Sequence, residues 1–102
     1  MTNDKILSLI GLAAKAGKVV SGEFSTEKSV KSGKAFLVIV AGDASANTKK
    51  MFTNMCNFYK VPMCIYGTKE ILGKRLGKEL RASLAIQDAG IRDAFLKQVN
   101  QV

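Results

Sequence analysis

The segment Ala35-Phe36-Leu37-Val38-Ile39-Val40-Ala41 limits the fold more than any other part of the chain. It is rich in β-branched residues, has no helical period and contains no polar side chain. A strand of this kind has no face to give to water, so other elements must cover both of its sides. At seven residues it is far short of the ~18 or more apolar residues of a membrane span. The chain therefore needs a sheet with helices above and below it.

The flanking pattern supplies those helices. Ile6, Leu9, Ile10 and Ala13 recur on one side of a first helix running from about Asp4 to Ala16, which Gly17 stops. Val19-Val20 reads as a short strand. Ser21-Gly22 opens a second, weakly amphipathic helix ending near Gly33. After the apolar run, Gly42-Asp43-Ala44-Ser45 makes a turn and a helix N-cap. Met51, Phe52, Met55, Cys56 and Tyr59 then share one side of a third helix. Val61-Pro62 leads into a strand at Met63–Tyr66, since proline suits a first strand position. Thr68 caps a fourth helix that contains Ile71 and Leu72 and stops near Gly77. Leu84-Ala85-Ile86 is a last strand. Asp88 caps a closing helix marked by Ile91, Phe95 and Val99. Helices and strands alternate throughout 102 residues with no linker or repeat, which predicts one α/β domain, an α/β/α sandwich.

Composition excludes much chemistry. The chain has no histidine, which removes Ser-His-Asp triads, Cys-His dyads and imidazole zinc sites. Cys56 and Cys64 are not in CxxC spacing and read as reduced packing residues. Gly11 to Lys18 approaches a phosphate-binding P-loop but has one residue too many between its glycines, and Val19 stands where a hydroxyl belongs. Asp43 and Asp88 each follow a strand, but each also precedes a helix and is expected to cap it. No cofactor or metal is implied, and an enzyme is not expected. Asp4, Ser8, Gly11 and Lys15 spoil any reading of the first segment as a signal peptide, so the expected location is cytoplasmic, away from membranes.

Charge points to a partner. Sixteen Lys and Arg against eight Asp and Glu leave a net +8, which favours polyanions. Two places concentrate the signal. The backbone amides where the Gly22 helix starts form an anion site, with Lys28 about one turn on and Lys31 beyond it. The other is the basic stretch Gly77-Lys78-Glu79-Leu80-Arg81. Lys15 and Lys18 flank the end of the first helix.

The chain resembles the kink-turn RNA-binding ribosomal protein family, the L-seven-Ae family, and within it the small bacterial YlxQ-type members. The resemblance is carried by residues 12–22, by residues 35–45, by Val61-Pro62 and by Leu72-Gly73-x-x-x-Gly77, in that order. It implies a three-layer sandwich around a mixed, four-stranded sheet. It also implies binding of structured RNA, ribosomal or another kink-turn RNA, in association with the ribosome or with translation proteins. The family signature at the second helix is Gly-x-Asn-Glu-x-x-Lys, in which Asn and Glu read tandem sheared G·A pairs. Gly22 and Lys28 match it; Phe24 stands at the Asn position and Ser25 at the Glu position. The loop that packs on the RNA kink corresponds to Leu76 through Ala82. The residues expected at RNA are thus Lys18, Gly22, Phe24, Ser25, Lys28 and Lys31, with Lys78, Leu80 and Arg81 from the loop. The alternative is a protein-interaction module on the same fold, acting through Phe24 and its apolar neighbours.

Overall fold

The computed structural model describes residues 3–100. Its elements are α1 (Asn3–Lys15), β1 (Val19–Ser21), α2 (Glu23–Lys31), β2 (Leu37–Val40), α3 (Ala46–Tyr59), β3 (Met63–Ile65), α4 (Lys69–Arg75), β4 (Ser83–Ile86) and α5 (Ala89–Val99). The strands form one sheet in the order β1-β4-β2-β3. β4 runs antiparallel to both β1 and β2, whereas β2 and β3 are parallel, so the sheet is mixed. Among the helices, α2 packs with α3, and α1 packs with both α4 and α5. The result is an α/β/α sandwich.

β2 is buried completely, each of Leu37, Val38, Ile39 and Val40 showing 0% exposure. Full burial of such side chains stabilises by roughly 1.5–3 kcal/mol apiece. The ladder is shorter than the apolar run, however, and Phe36 corrects the expectation for it. Phe36 lies just before the paired residues and is exposed, with the Arg92 guanidinium 5.6 Å above its ring. Ile6, Ile10 and Ala13 bury the predicted face of α1, and Phe52 and Cys56 that of α3. Both cysteines are free; burial pushes the Cys56 thiol up to about 11.

Three expected caps are present. Ser45, Thr68 and Asp88 accept hydrogen bonds from the backbone N–H groups of Thr48, Ile71 and Ile91. Asp43 does something else. With Ser45 already capping α3, the Asp43 carboxylate reaches across to accept from the Lys69 N–H at 2.8 Å, at the start of α4. It ties the loop after β2 to a helix twenty-six residues further on.

α2 joins the sheet differently from the other helices. Its buried residues are Thr26, Ser29 and Val30. The Ser83 hydroxyl of β4 donates to Thr26 Oγ1 at 3.3 Å, and Gln87 Nε2 donates to Ser29 Oγ at 2.8 Å. Buried hydroxyls need such partners, and these hydrogen bonds also fix the helix's rotation on the sheet.

Candidate nucleic-acid interface

Gly22 forms the turn between β1 and α2 with φ 92° and ψ 158°. That positive φ disfavours any residue with a Cβ, even though the space around it is open. Its N–H donates to Ser83 O at 2.9 Å, and its carbonyl accepts from the Thr26 N–H at 2.9 Å. Glycine has no side chain to cap the helix, and no side chain does so. The first-turn amides are left with their partial positive charge directed outward.

Because Thr26, Ser29 and Val30 turn inward, Phe24, Lys28 and Lys31 lie on the outer side of α2. Phe24 is 78% exposed. It shares a shallow hollow with Glu27, Lys28 and Lys31. A second hollow, toward the edge strand β1, adds Ser25, Lys34 and Gln87 to Phe24 and Lys28. Ser25 is half-buried there. Lys31 is committed to Glu27, 2.7 Å away, whose carboxylate raises the ammonium pKa by hydrogen bonding and by its charge.

The loop between α4 and β4 comes to the same end of the sheet. Arg81 Nε donates to the Ser21 hydroxyl at 3.1 Å, one residue before Gly22, and Nη1 donates to Leu80 O at 2.8 Å. The Arg81 N–H donates to Lys69 O at 3.1 Å, so the Asp43 tether and the loop share one residue. Lys78 N–H donates to Gly73 O at 2.8 Å. A Cβ on Gly73 would stand 1.3 Å from the Glu79 carbonyl oxygen, so this loop can lie on α4 only because residue 73 is glycine. Lys78 and Leu80 project from it, both exposed.

The structure thus gathers Gly22, Phe24, Ser25, Lys28, Leu80 and Arg81 around the junction of β1 and α2, with Lys78 on the adjoining loop. Lys18 is not among them. It is exposed at the other end of β1, where its carbonyl accepts from the Gln87 N–H at 2.7 Å, a strand's length of roughly 13 Å from Gly22. Lys31 shares the outer face of α2 but sits in its last turn, also roughly 13 Å from the helix start. Sequence reading missed the Ser21–Arg81 pair and the Asp43–Lys69 tether. Both join residues that no local pattern relates. Among the described residues no group of His, Cys, Asp and Glu is placed to hold a metal, and no helix is long and apolar enough to cross a membrane.

Comparison with known proteins agrees with this architecture. The chain is 42% identical over 88 residues to the RNA-binding protein YlxQ of Bacillus subtilis (strain 168), covering 86% of this chain and 88% of that one. It is 38% identical over 86 residues to the RNA-binding protein YlxQ of Enterococcus faecium, covering 84% and 82% respectively. A Bacillus halodurans protein of unknown function superposes with a TM-score of 0.90 at 35% identity, over 94% of this chain and 97% of that one. The Giardia lamblia 15.5kD RNA binding protein shares the fold, with a TM-score of 0.83 at 24% identity over 99% and 87%. Residues 4–95 match the Ribosomal protein L7Ae/L30e/S12e/Gadd45 family, and with YlxQ proteins as its relatives the chain belongs to that family as a YlxQ-type member.

Proposed function

We propose that this chain binds structured RNA without catalysing a reaction, gripping a sharply bent, kink-turn-like segment at the junction of β1 and α2. The observation that carries this reading is the convergence of an uncapped helix start, an arginine docked on Ser21, and exposed Phe24, Lys28 and Leu80. Uncapped amides and cations attract phosphates. The Phe24 ring offers a stacking face to an unpaired base, and Leu80 on the α4–β4 loop an exposed apolar contact. The names of the YlxQ relatives and the net charge of +8 support the same reading. The family's ribosomal members support a cytoplasmic role in translation, with ribosomal RNA or another kink-turn RNA as target and ribosomal or translation proteins as neighbours.

Phe24 stacks but cannot read a base edge, and Ser25 offers a neutral hydrogen bond where a carboxylate would accept two donors. Binding is therefore expected to tolerate loss of the G·A pairs better than in relatives that carry Asn and Glu. The test compares a kink-turn RNA, the same RNA with its G·A pairs replaced, and a plain duplex, across a salt series. With three to five phosphate contacts, log affinity should fall by roughly 2–4 per decade of salt. Discrimination against the replaced pairs should stay below about a hundredfold, ~2.7 kcal/mol, and should sharpen in the Phe24→Asn/Ser25→Glu double variant. Failure to bind any structured RNA overturns the reading in favour of a protein partner at Phe24.

A further inference from the structure

A second basic surface lies away from the β1–α2 junction. α1 and α4 pack against each other, and the cleft between them, about 680 Å³, is lined by Gly11, Leu12, Lys15, Lys74, Arg75 and Gly77 among others. Lys15 ends α1, and Lys74 and Arg75 end α4. All three are exposed. Among the described residues none of the three makes an ion pair, and no carboxylate lines the cleft. The carbonyl ends of two helices favour nearby cations. That accounts for a cation at each helix end, but not for the convergence of three in one cleft with no counter-charge among the described residues.

Gly11 is a second observation. It lies inside α1, where glycine weakens a helix relative to alanine. Nothing lies within 4 Å of where its Cβ would be, and its φ is not positive. Nothing in the protein's own packing therefore calls for glycine there. What glycine does provide is a bare stretch of helix backbone in the cleft that the cations line, open to an approaching phosphate. Leu12, 54% exposed beside it, gives an apolar contact for a ribose. Among the described residues, the cleft holds no aromatic ring and no amide side chain to read a base. Its chemistry is that of a phosphodiester backbone. Gly77 lines the cleft, and Lys78, Leu80 and Arg81 of the proposed interface follow within four residues in the chain.

We propose that the α1–α4 cleft is a phosphate-binding extension of the RNA surface, holding the backbone of a stem that flanks the bent segment. This rests on the RNA-binding reading above. The test uses the full chain and two kink-turn RNAs, one with short stems and one with a stem lengthened by about one helical turn. Wild type should bind the longer RNA about tenfold more tightly, with a salt slope steeper by roughly 2–3. Lys15→Gln/Lys74→Gln/Arg75→Gln should lose that gain and keep its short-stem affinity within about twofold. Gly11→Glu, which has room to fold, should lose the gain as well. Lys5→Gln/Lys50→Gln/Lys97→Gln, with the same charge change elsewhere, should keep it. Equal wild-type affinity for the two RNAs overturns the extension alone. So does an equal loss on both RNAs in the cleft variant, or loss of the gain in the control variant. No binding to the short-stem RNA overturns the proposed function, and this inference with it.

Discussion

α2 and α3 lie side by side against the same sheet, yet they are held by different forces. α3 has fourteen residues, a serine cap, and Phe52 and Cys56 sunk into the core. α2 has nine residues, no side-chain cap, and two hydroxyl residues among the three that it buries. Apolar burial is strong but non-directional, so it positions a helix without dictating its rotation finely. Hydrogen bonds from Ser83 and Gln87 to Thr26 and Ser29 are weaker but directional. A helix held in this way presents a defined outer face and keeps its first-turn amides free. The contrast is between a helix built for stability and one built for presentation.

The contrast can be broken most forcefully at Phe52. Phe52→Ala should lower unfolding free energy by about 3–5 kcal/mol while the molecules that remain folded bind RNA as before. A loss under about 1 kcal/mol in urea unfolding would mean that α3 is not the apolar anchor. On the other helix, Lys28→Ala should weaken RNA binding by about 1.5–3 kcal/mol with little change in melting temperature. Lys97→Ala, an equal charge change at an exposed position of α5, should have almost no effect on binding. Equal losses from the two would leave only net charge at work.

Thr26→Val tests the hydrogen-bonded seat of α2. Leaving the Ser83 hydroxyl buried without its acceptor should cost about 1–3 kcal/mol of stability, and adding Ser83→Ala should recover much of it. An unimproved double variant would show that shape, not hydrogen bonding, seats the helix. The smallest effect concerns pH. The native Cys56 thiol titrates at about 11 against an ordinary value of 9.0, so the folded state holds this proton more tightly than the unfolded state. Its contribution is fully present below about pH 9 and is lost as pH rises through about 11. Wild type should therefore lose stability more steeply than Cys56→Ala between those limits; parallel curves would show that the thiol is not shielded.

Local signals were readable where the chemistry is local. The serine, threonine and aspartate before α3, α4 and α5 cap those helices because a side chain reaches an amide three residues on. Asp43 had the same sequence context as a cap and went elsewhere, since Ser45 was nearer and the start of α4 was folded against it. Phe36 looked like a core residue of the apolar run, but although its N–H donates to Ile86 O, its ring lies on the surface beneath Arg92. The weak amphipathic pattern of α2 was real, but its meaning was hidden: Thr26 and Ser29 are buried because of partners 57 and 58 residues away.

The sequence by itself determined that helices and strands alternate, that β2 must be covered on both faces, and that the chain carries excess positive charge. These follow from periodicity, side-chain chemistry and charge, which are properties of neighbours in the chain. Only the tertiary structure decided that β4, the last strand, inserts between β1 and β2. That insertion brings Arg81 to Ser21 across sixty residues, seats α2 on Ser83 and Gln87, and leaves Lys18 at the far end of β1. Strand order and register are settled by which surfaces bury together over the whole domain. No short stretch of sequence contains that information.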